Sequence, residues 1–289
     1  MKNNKYKLHL LISIIIGLAT QSASQKAYQT KTRGGTFVFA FGSTLFALIF
    51  FVATLSGQFV VSFEYLPYSV LFATFYVICT AFTVLAIKEG PLSLTSLINS
   101  MSLIIPSLYG IIFLNEPTSL TLYLGIALLL ISLTLINVHV GEEDKKINAR
   151  WVLYVLLAFI GNGGCSTVQR MQQINADGQY KTEFMVVALS IVVLLTAIIM
   201  LVFEKDKLAV SLKHGVWFFA ISGIMNGMVN FFVILLSTRL PASFMFPVIS
   251  AGGIITTFVL AIMVYKEKLS HLQYIGSLIG LLSIVLLNL

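Results

Sequence analysis

Charge is what this sequence has least of. Only 10% of its 289 residues are charged, against roughly 25% in an ordinary soluble domain. That scarcity excludes a water-soluble fold of this length, because 58% of the residues are hydrophobic and no single core could hide so much apolar surface. Mean hydropathy of +0.95 points to lipid as the solvent. Cysteine is scarce as well. Cys79 and Cys165 are the only two, both inside apolar stretches, which leaves neither a disulfide framework nor the closely spaced ligands of a zinc site. The four histidines, His9, His139, His214 and His271, fall near the ends of apolar runs without ligand-like spacing. Intramembrane catalysis by a dyad or a metal therefore has no visible basis, and an enzyme is not expected. No glycine-rich loop ends in Gly-Lys-Ser/Thr, so ATP coupling is not expected either. No cofactor is implied.

What the chain does have is apolar runs of about 20 residues, each enough to span roughly 30 Å of hydrocarbon. They recur ten times, near 7–27, 36–56, 66–87, 92–114, 118–139, 151–172, 183–203, 214–237, 242–264 and 269–288. Turn signals and charges separate them, among them Glu89-Gly-Pro91, Asn115-Glu-Pro117, Arg239-Leu-Pro241 and Lys266-Glu-Lys268. The net charge of +7 is spread over these short connections, which fits membrane orientation better than nucleic-acid binding. The loops after the odd-numbered spans carry 12 Lys and Arg, and the remaining connections with the termini carry 6. The positive-inside rule then places both termini outside the cytoplasm.

The chain repeats itself. At an offset of 144, Gly17 falls on Gly161, Ser22 on Ser166, Gln25 on Gln169 and Lys26 on Arg170. The match of the first segment to an internal one argues that it is a true span rather than a removed leader. At an offset of 151, Glu116 falls on Glu267, Gly125 on Gly276 and Ser132 on Ser283. The expected architecture is an all-α integral membrane protein of ten transmembrane helices. Residues 1–140 form the first five-helix repeat, 141–150 a polar linker, and 151–289 the second five-helix repeat. An odd number of spans per repeat puts the halves in opposite orientations, as in many secondary transporters, whose sites lie near the bilayer midplane.

The segment Gly90-Pro-Leu-Ser-Leu-Thr-Ser-Leu-Ile-Asn99, then Leu114-Asn-Glu-Pro117, then Gly125 nine residues after the glutamate, has a second copy. That copy reads Leu240-Pro-Ala-Ser243, Tyr265-Lys-Glu-Lys268 and Gly276. Paired in this way over ten spans, the pattern resembles the EamA-type family of the drug/metabolite transporter superfamily. The resemblance covers the whole chain. It implies a carrier in the cell membrane, often an exporter of amino acids, related metabolites or drugs. One departure stands out. The related small multidrug-resistance proteins embed a glutamate in their first helix, where this chain has Gln21 and Gln25 and no carboxylate. Proton-coupled antiport of cations by that route is therefore not expected.

Polar side chains at membrane depth are costly unless they find partners or water, and so mark candidate sites. The expected substrate-binding set is Gln21, Gln25, Tyr76, Asn99, Asn162, Ser166, Gln169, Asn226 and Asn230, with hydroxyls such as Ser100 and Ser102 beside Asn99. Asn162, Ser166 and Gln169 share one helix face, and Asn226 and Asn230 are one turn apart. The same residues could equally be interhelical glue. Lys26 and Arg170 are candidates for the pathway mouths, or for basic side chains snorkelling to the interface. Pro106, Pro247, Gly252 and Gly253 are candidate hinges. Gly276-x-x-x-Gly280 suggests close helix packing, within one chain or in a homodimer. Glu116 and Glu267 are expected to favour the starts of the helices that follow them, through the backbone dipole. The expected partners are a small-molecule substrate and the lipid bilayer, not nucleic acid. A lipid or lipid-linked sugar flippase and a non-transporting scaffold are the alternatives.

Overall fold

In a segment without water, every backbone N–H and C=O must be paired inside the protein, and a helix does this locally. The computed structural model of the chain follows that rule. It describes residues 2–32, 34–55, 57–89, 95, 98, 99, 101–137, 148–263 and 271–287. It is 87% helical, and no strand occurs among the described residues. The helices are α1 (Lys2–Thr32), α2 (Thr36–Ala53), α3 (Leu66–Glu89), α4 (Ile104–Phe113), α5 (Leu120–Asn137), α6 (Ala149–Asn175), α7 (Lys181–Phe203), α8 (Leu208–Ser237), α9 (Ala242–Met263) and α10 (His271–Leu287). Six stretches among the described residues are long and apolar enough to cross a membrane: Lys5–Thr32, Thr36–Ala53, Leu66–Ile87, Ala149–Asn175, Lys181–Phe203 and Lys205–Ser237. The linker expected at 141–150 falls largely outside the described residues, as do Ser100 and Glu267.

The chain divides into two units that interleave in sequence. Unit 1 comprises residues 1–77 and 168–238, and unit 2 comprises 78–167 and 239–289. In unit 1, α8 packs against α1 and α2, and α2 also packs against α7. Glycines set the spacing. A Cβ on Gly42 would lie 2.6 Å from the Phe219 ring, and one on Gly227 would lie 2.7 Å from Phe50. At Gly223 it would strike the backbone carbonyl of Ser43, an atom that cannot swing away. Small residues that let backbones approach are what membrane interfaces rely on, since lipid offers no hydrophobic drive between helices. Beside this seam, Tyr28, Phe39 and Phe219 form an aromatic cluster. The Tyr28 hydroxyl lies 2.9 Å from Gly35 O and 2.8 Å from Ser211 Oγ, tying the α1–α2 turn to α8.

In unit 2, α10 packs on α5 and α9 packs on α4. The α5–α10 pair is joined by two hydrogen bonds of one kind. Ser132 Oγ donates to Gly276 O at 2.6 Å, and Ser283 Oγ donates to Gly125 O at 2.8 Å. The later residue of α5 meets the earlier residue of α10 and the reverse, so the two helices run antiparallel. Gly280 lies in the same seam, where a Cβ would sit 2.7 Å from Ser132 Oγ. The Gly276/Gly280 pair therefore serves packing inside this chain.

The fourth expected span, 92–114, is not one continuous helix. Residues 102 and 103 form a turn, and α4 begins at Ile104. Pro106 is the third residue of α4, in a first turn whose N–H groups have no helical acceptor, so it opens a helix here rather than kinking one. Pro247, in contrast, lies inside α9. Gly252 and Gly253 are in α9 as well, and their carbonyls lie 2.8 and 3.1 Å from Thr256 Oγ1.

Candidate functional site

Six of the nine polar residues expected at membrane depth gather into two clusters, one inside each unit. In unit 1 the cluster begins with a close approach. Gly17 of α1 has no side chain, and a Cβ there would lie 2.6 Å from Val229 and 3.1 Å from Met228 of α8. One turn further along, Gln21 Oε1 accepts from Asn226 Nδ2 at 3.2 Å. Asn226 and Asn230 stand at i and i+4, one above the other on α8. Asn230 Nδ2 donates both to Asn226 Oδ1 at 3.0 Å and to Asn226 O at 2.9 Å. Gln169 of α6, only 2% exposed, completes the row, with Nε2 3.4 Å from Asn230 Oδ1 and 3.3 Å from Asn230 O. Gln21 Nε2 is buried and has no hydrogen-bond partner among the described residues.

Unit 2 holds the second cluster, built around the break before α4. Where a helix is interrupted, carbonyl oxygens lose their i+4 donors, and in lipid something else must pair with them. Asn162 of α6 does this: its Nδ2 donates to Ser102 Oγ at 2.6 Å and to Asn99 O at 3.3 Å. Ser102 Oγ itself donates to Asn99 O at 2.6 Å. Gly163, next to Asn162, permits the approach, since a Cβ there would lie 2.6 Å from Ser102 O. Asn99 Oδ1 is buried without a partner among the described residues.

The other expected residues are placed as follows. Gln25 is exposed and outside the amide row of unit 1, and the Tyr76 ring lies 6.0 Å from that of Phe72. Ser166 is half-buried in unit 2. Arg170 is 6% exposed and Lys26 half-buried, both in unit 1. Cys79 and Cys165, both in unit 2, are in no disulfide. Among the described residues, no three of His, Cys, Asp and Glu gather in a way that could hold a metal ion.

Glu116 differs from its expected role. Its carboxylate accepts from the N–H of Ala242 at 2.9 Å and of Ser243 at 2.8 Å, so the helix it caps is α9 and not the α5 that follows it in sequence. The N–H groups of Ala242 and Ser243 are the first two of α9, which have no helical acceptor of their own. Glu204, 5% exposed, does the same in unit 1, accepting from Phe37 N at 2.7 Å and Val38 N at 3.3 Å at the start of α2. Sequence reasoning missed Glu204. A carboxylate at the C-terminal end of its own helix, α7, is unfavourable there, and that misfit was the available signal. Gln172 and Gln173 were missed too. Both are fully buried, and Gln172 Nε2 donates to Gln179 O at 3.2 Å at the α6–α7 turn.

No family model matches this chain, and no curated protein matches it. Among solved structures, 29 chains match its fold. One of them, described only as the crystal structure of a protein, superposes with a TM-score of 0.77 at 13% identity. The match covers 98% of this chain and 96% of the other. At that identity the likeness speaks of the fold alone. The chain is thus an all-α protein of membrane-helical character, with a fold shared by known structures.

Proposed function

We propose that this chain is a secondary transporter of the EamA type in the cell membrane, moving a small polar metabolite or drug by alternating access, and that it acts as an exporter. Its two five-helix halves would be inverted repeats, ten spans in all. The observation that carries the reading is the reciprocal pair on α5 and α10. Ser132 and Ser283 fall on each other at the repeat offset, as do Gly125 and Gly276. Each serine bonds the other helix's glycine carbonyl, in an antiparallel pair. A two-fold relation between inverted halves produces that reciprocity, and unrelated helices have no reason to share it. Two further packings, α2 on α7 and α4 on α9, also join helices five apart in order.

The amides add the functional half. Lipid penalises them, and known carriers place uncharged polar groups and broken helices where solutes bind. The break before α4, held by Asn162, and the row of amides ending at Gln21 are features of that kind. With no carboxylate among them, the reading is of a polar uncharged site, open to facilitated exchange as well as to ion coupling.

The test is a comparison of metabolite uptake and efflux, by mass spectrometry, in cells with and without the protein, beside a variant carrying Asn162→Leu and Gln169→Leu. A solute that moves with the protein and not with a membrane-inserted variant supports both the carrier and its site. Movement that survives the variant refutes the site. If no amino acid, sugar, nucleoside or drug in a broad panel moves, while reconstituted vesicles scramble lipid, the carrier reading gives way to a flippase.

A further inference from the structure

The four amides of unit 1 form a relay with one direction. Nitrogen and oxygen of a carboxamide are told apart only by their partners, and here two backbone carbonyls settle the order. Asn226 O and Asn230 O can only accept. The Asn230 side chain therefore turns its nitrogen toward Asn226 O, 2.9 Å away. That same nitrogen lies 3.0 Å from the Asn226 side chain, so the atom it faces is Oδ1. Asn226 must then present Nδ2 to Gln21, 3.2 Å away, which fixes the facing atom as Oε1. At the far end, Gln169 turns Nε2 toward Asn230 O at 3.3 Å. Each amide donates to the next, from Gln169 through Asn230 and Asn226 to Gln21.

The relay ends on two hydrogens. Gln21 Nε2 is buried and has no partner among the described residues, and turning the amide over would set nitrogen against the nitrogen of Asn226. Hydrogen-bonded amides in series polarise one another, which makes the terminal N–H groups stronger donors than an isolated glutamine's. A buried donor without an acceptor is unfavourable in apolar surroundings. A ligand oxygen would relieve it, whereas an ammonium would bring hydrogens against hydrogens. We propose that Gln21 Nε2 holds a carboxylate oxygen of the transported solute, so that the site selects carboxylates over amines of the same size. This rests on the carrier reading for its biological meaning, but it concerns binding and can fail separately.

The purified full-length chain in detergent is titrated calorimetrically with butyrate, pentanoate and hexanoate, each matched by the alkylamine of equal length. The same compounds are followed by flux in reconstituted vesicles. The expected result is that carboxylates bind at least tenfold more tightly than their matched amines. Gln21→Met, which keeps the shape and removes the amide, abolishes that preference. Gln21→Glu reverses it, because the terminus becomes an acceptor. Asn226→Leu, which cuts the relay behind an intact Gln21, weakens carboxylate binding less than Gln21→Met does. A merely structural glutamine would change the stability of the protein without inverting a preference. Equal binding of both classes, preference for amines, binding of neither, or a preference that survives Gln21→Met each overturns the inference. Carboxylates that bind through Gln21 but do not cross vesicles leave the inference standing and refute the carrier.

Discussion

The α2–α8 seam of unit 1 and the α5–α10 seam of unit 2 hold apolar helices together by different means. In unit 1, α8 meets α1 and α2 through glycines that admit an aromatic ring or a backbone, as Gly42 does for Phe219 and Gly223 for Ser43 O. In unit 2, α5 meets α10 through serine hydroxyls bonded to backbone carbonyls, and α6 meets the broken fourth span through an asparagine. Helices in lipid have only packing and hydrogen bonds to draw them together. Both units use both, since amides join α1, α6 and α8 and Ser69 Oγ donates to Phe184 O between α3 and α7, but these two seams divide the means between them. One glycine of unit 2 is instructive. Gly163 of unit 2 also admits a backbone oxygen, that of Ser102, and it does so where a helix is interrupted and its carbonyls must be reached. Close approach there serves a hydrogen bond, as it does at Gly17 of α1 beside Gln21, whereas in the α2–α8 seam it serves contact area.

The comparison breaks most readily at Gly223. A methyl there meets Ser43 O and, at 2.6 Å, Phe46 Cβ, neither of which yields without shifting α2. Gly223→Ala should therefore destabilise the protein by about 3 kcal/mol, the upper part of the usual range for overpacking. Gly280→Ala should cost about 1 kcal/mol, because it meets Ser132 Oγ, a hydroxyl that can rotate away at the loss of one bond. Thermal or denaturant unfolding of the two variants in the same detergent measures the difference. Equal losses would mean that close approach matters alike in both units.

A middle-sized effect tests the role of hydrogen bonds in unit 2. Asn162→Ala removes one donor from Asn99 O and from Ser102 Oγ, which stay bonded to each other, at a cost of about 0.5–1.5 kcal/mol for each lost bond. Asn162→Asp should be no rescue, because an ionised carboxylate can only accept and would face the Asn99 carbonyl. Recovery of wild-type unfolding by Asn162→Asp would show that the side chain's size, not its donor, supports the break.

How much of this was legible beforehand follows from what repeats in sequence and what does not. The helices and the polar residues at membrane depth could be read because hydropathy reports the solvent directly. The serine and glycine pairs of α5 and α10 stood in register at one offset, so their alignment was visible although their bonds were not. The relay was only half legible. Asn226 and Asn230 announce a shared face by their spacing, but nothing local links them to Gln21 some two hundred residues earlier. That contact depends on Gly17 letting α1 approach α8. The break at residues 102 and 103 was hidden because Pro106 reads as a kink when the helix start is unknown. Glu116 and Glu204 were misread or missed because a carboxylate can cap a helix remote in sequence, and only the fold says which N–H groups come within reach.

The smallest effect bears on the repeat itself. Ser132→Ala and Ser283→Ala each remove one hydroxyl bond to a glycine carbonyl. Interhelical bonds of this kind contribute about 0.6 kcal/mol on average. If α5 and α10 are related by a two-fold, the two hydroxyls occupy equivalent surroundings and the two losses should agree within about 0.3 kcal/mol. Their sum should equal the loss in the double variant, because sites seven residues apart on a helix are about 10 Å distant and couple weakly. Unequal losses would mean that the resemblance of the two bonds is geometric and not inherited from a duplicated unit. Equal losses with strong coupling would mean that the helix pair opens as one seam. Equal and additive losses would give two independent copies of one contact, which is what duplication of an antiparallel helix pair leaves behind.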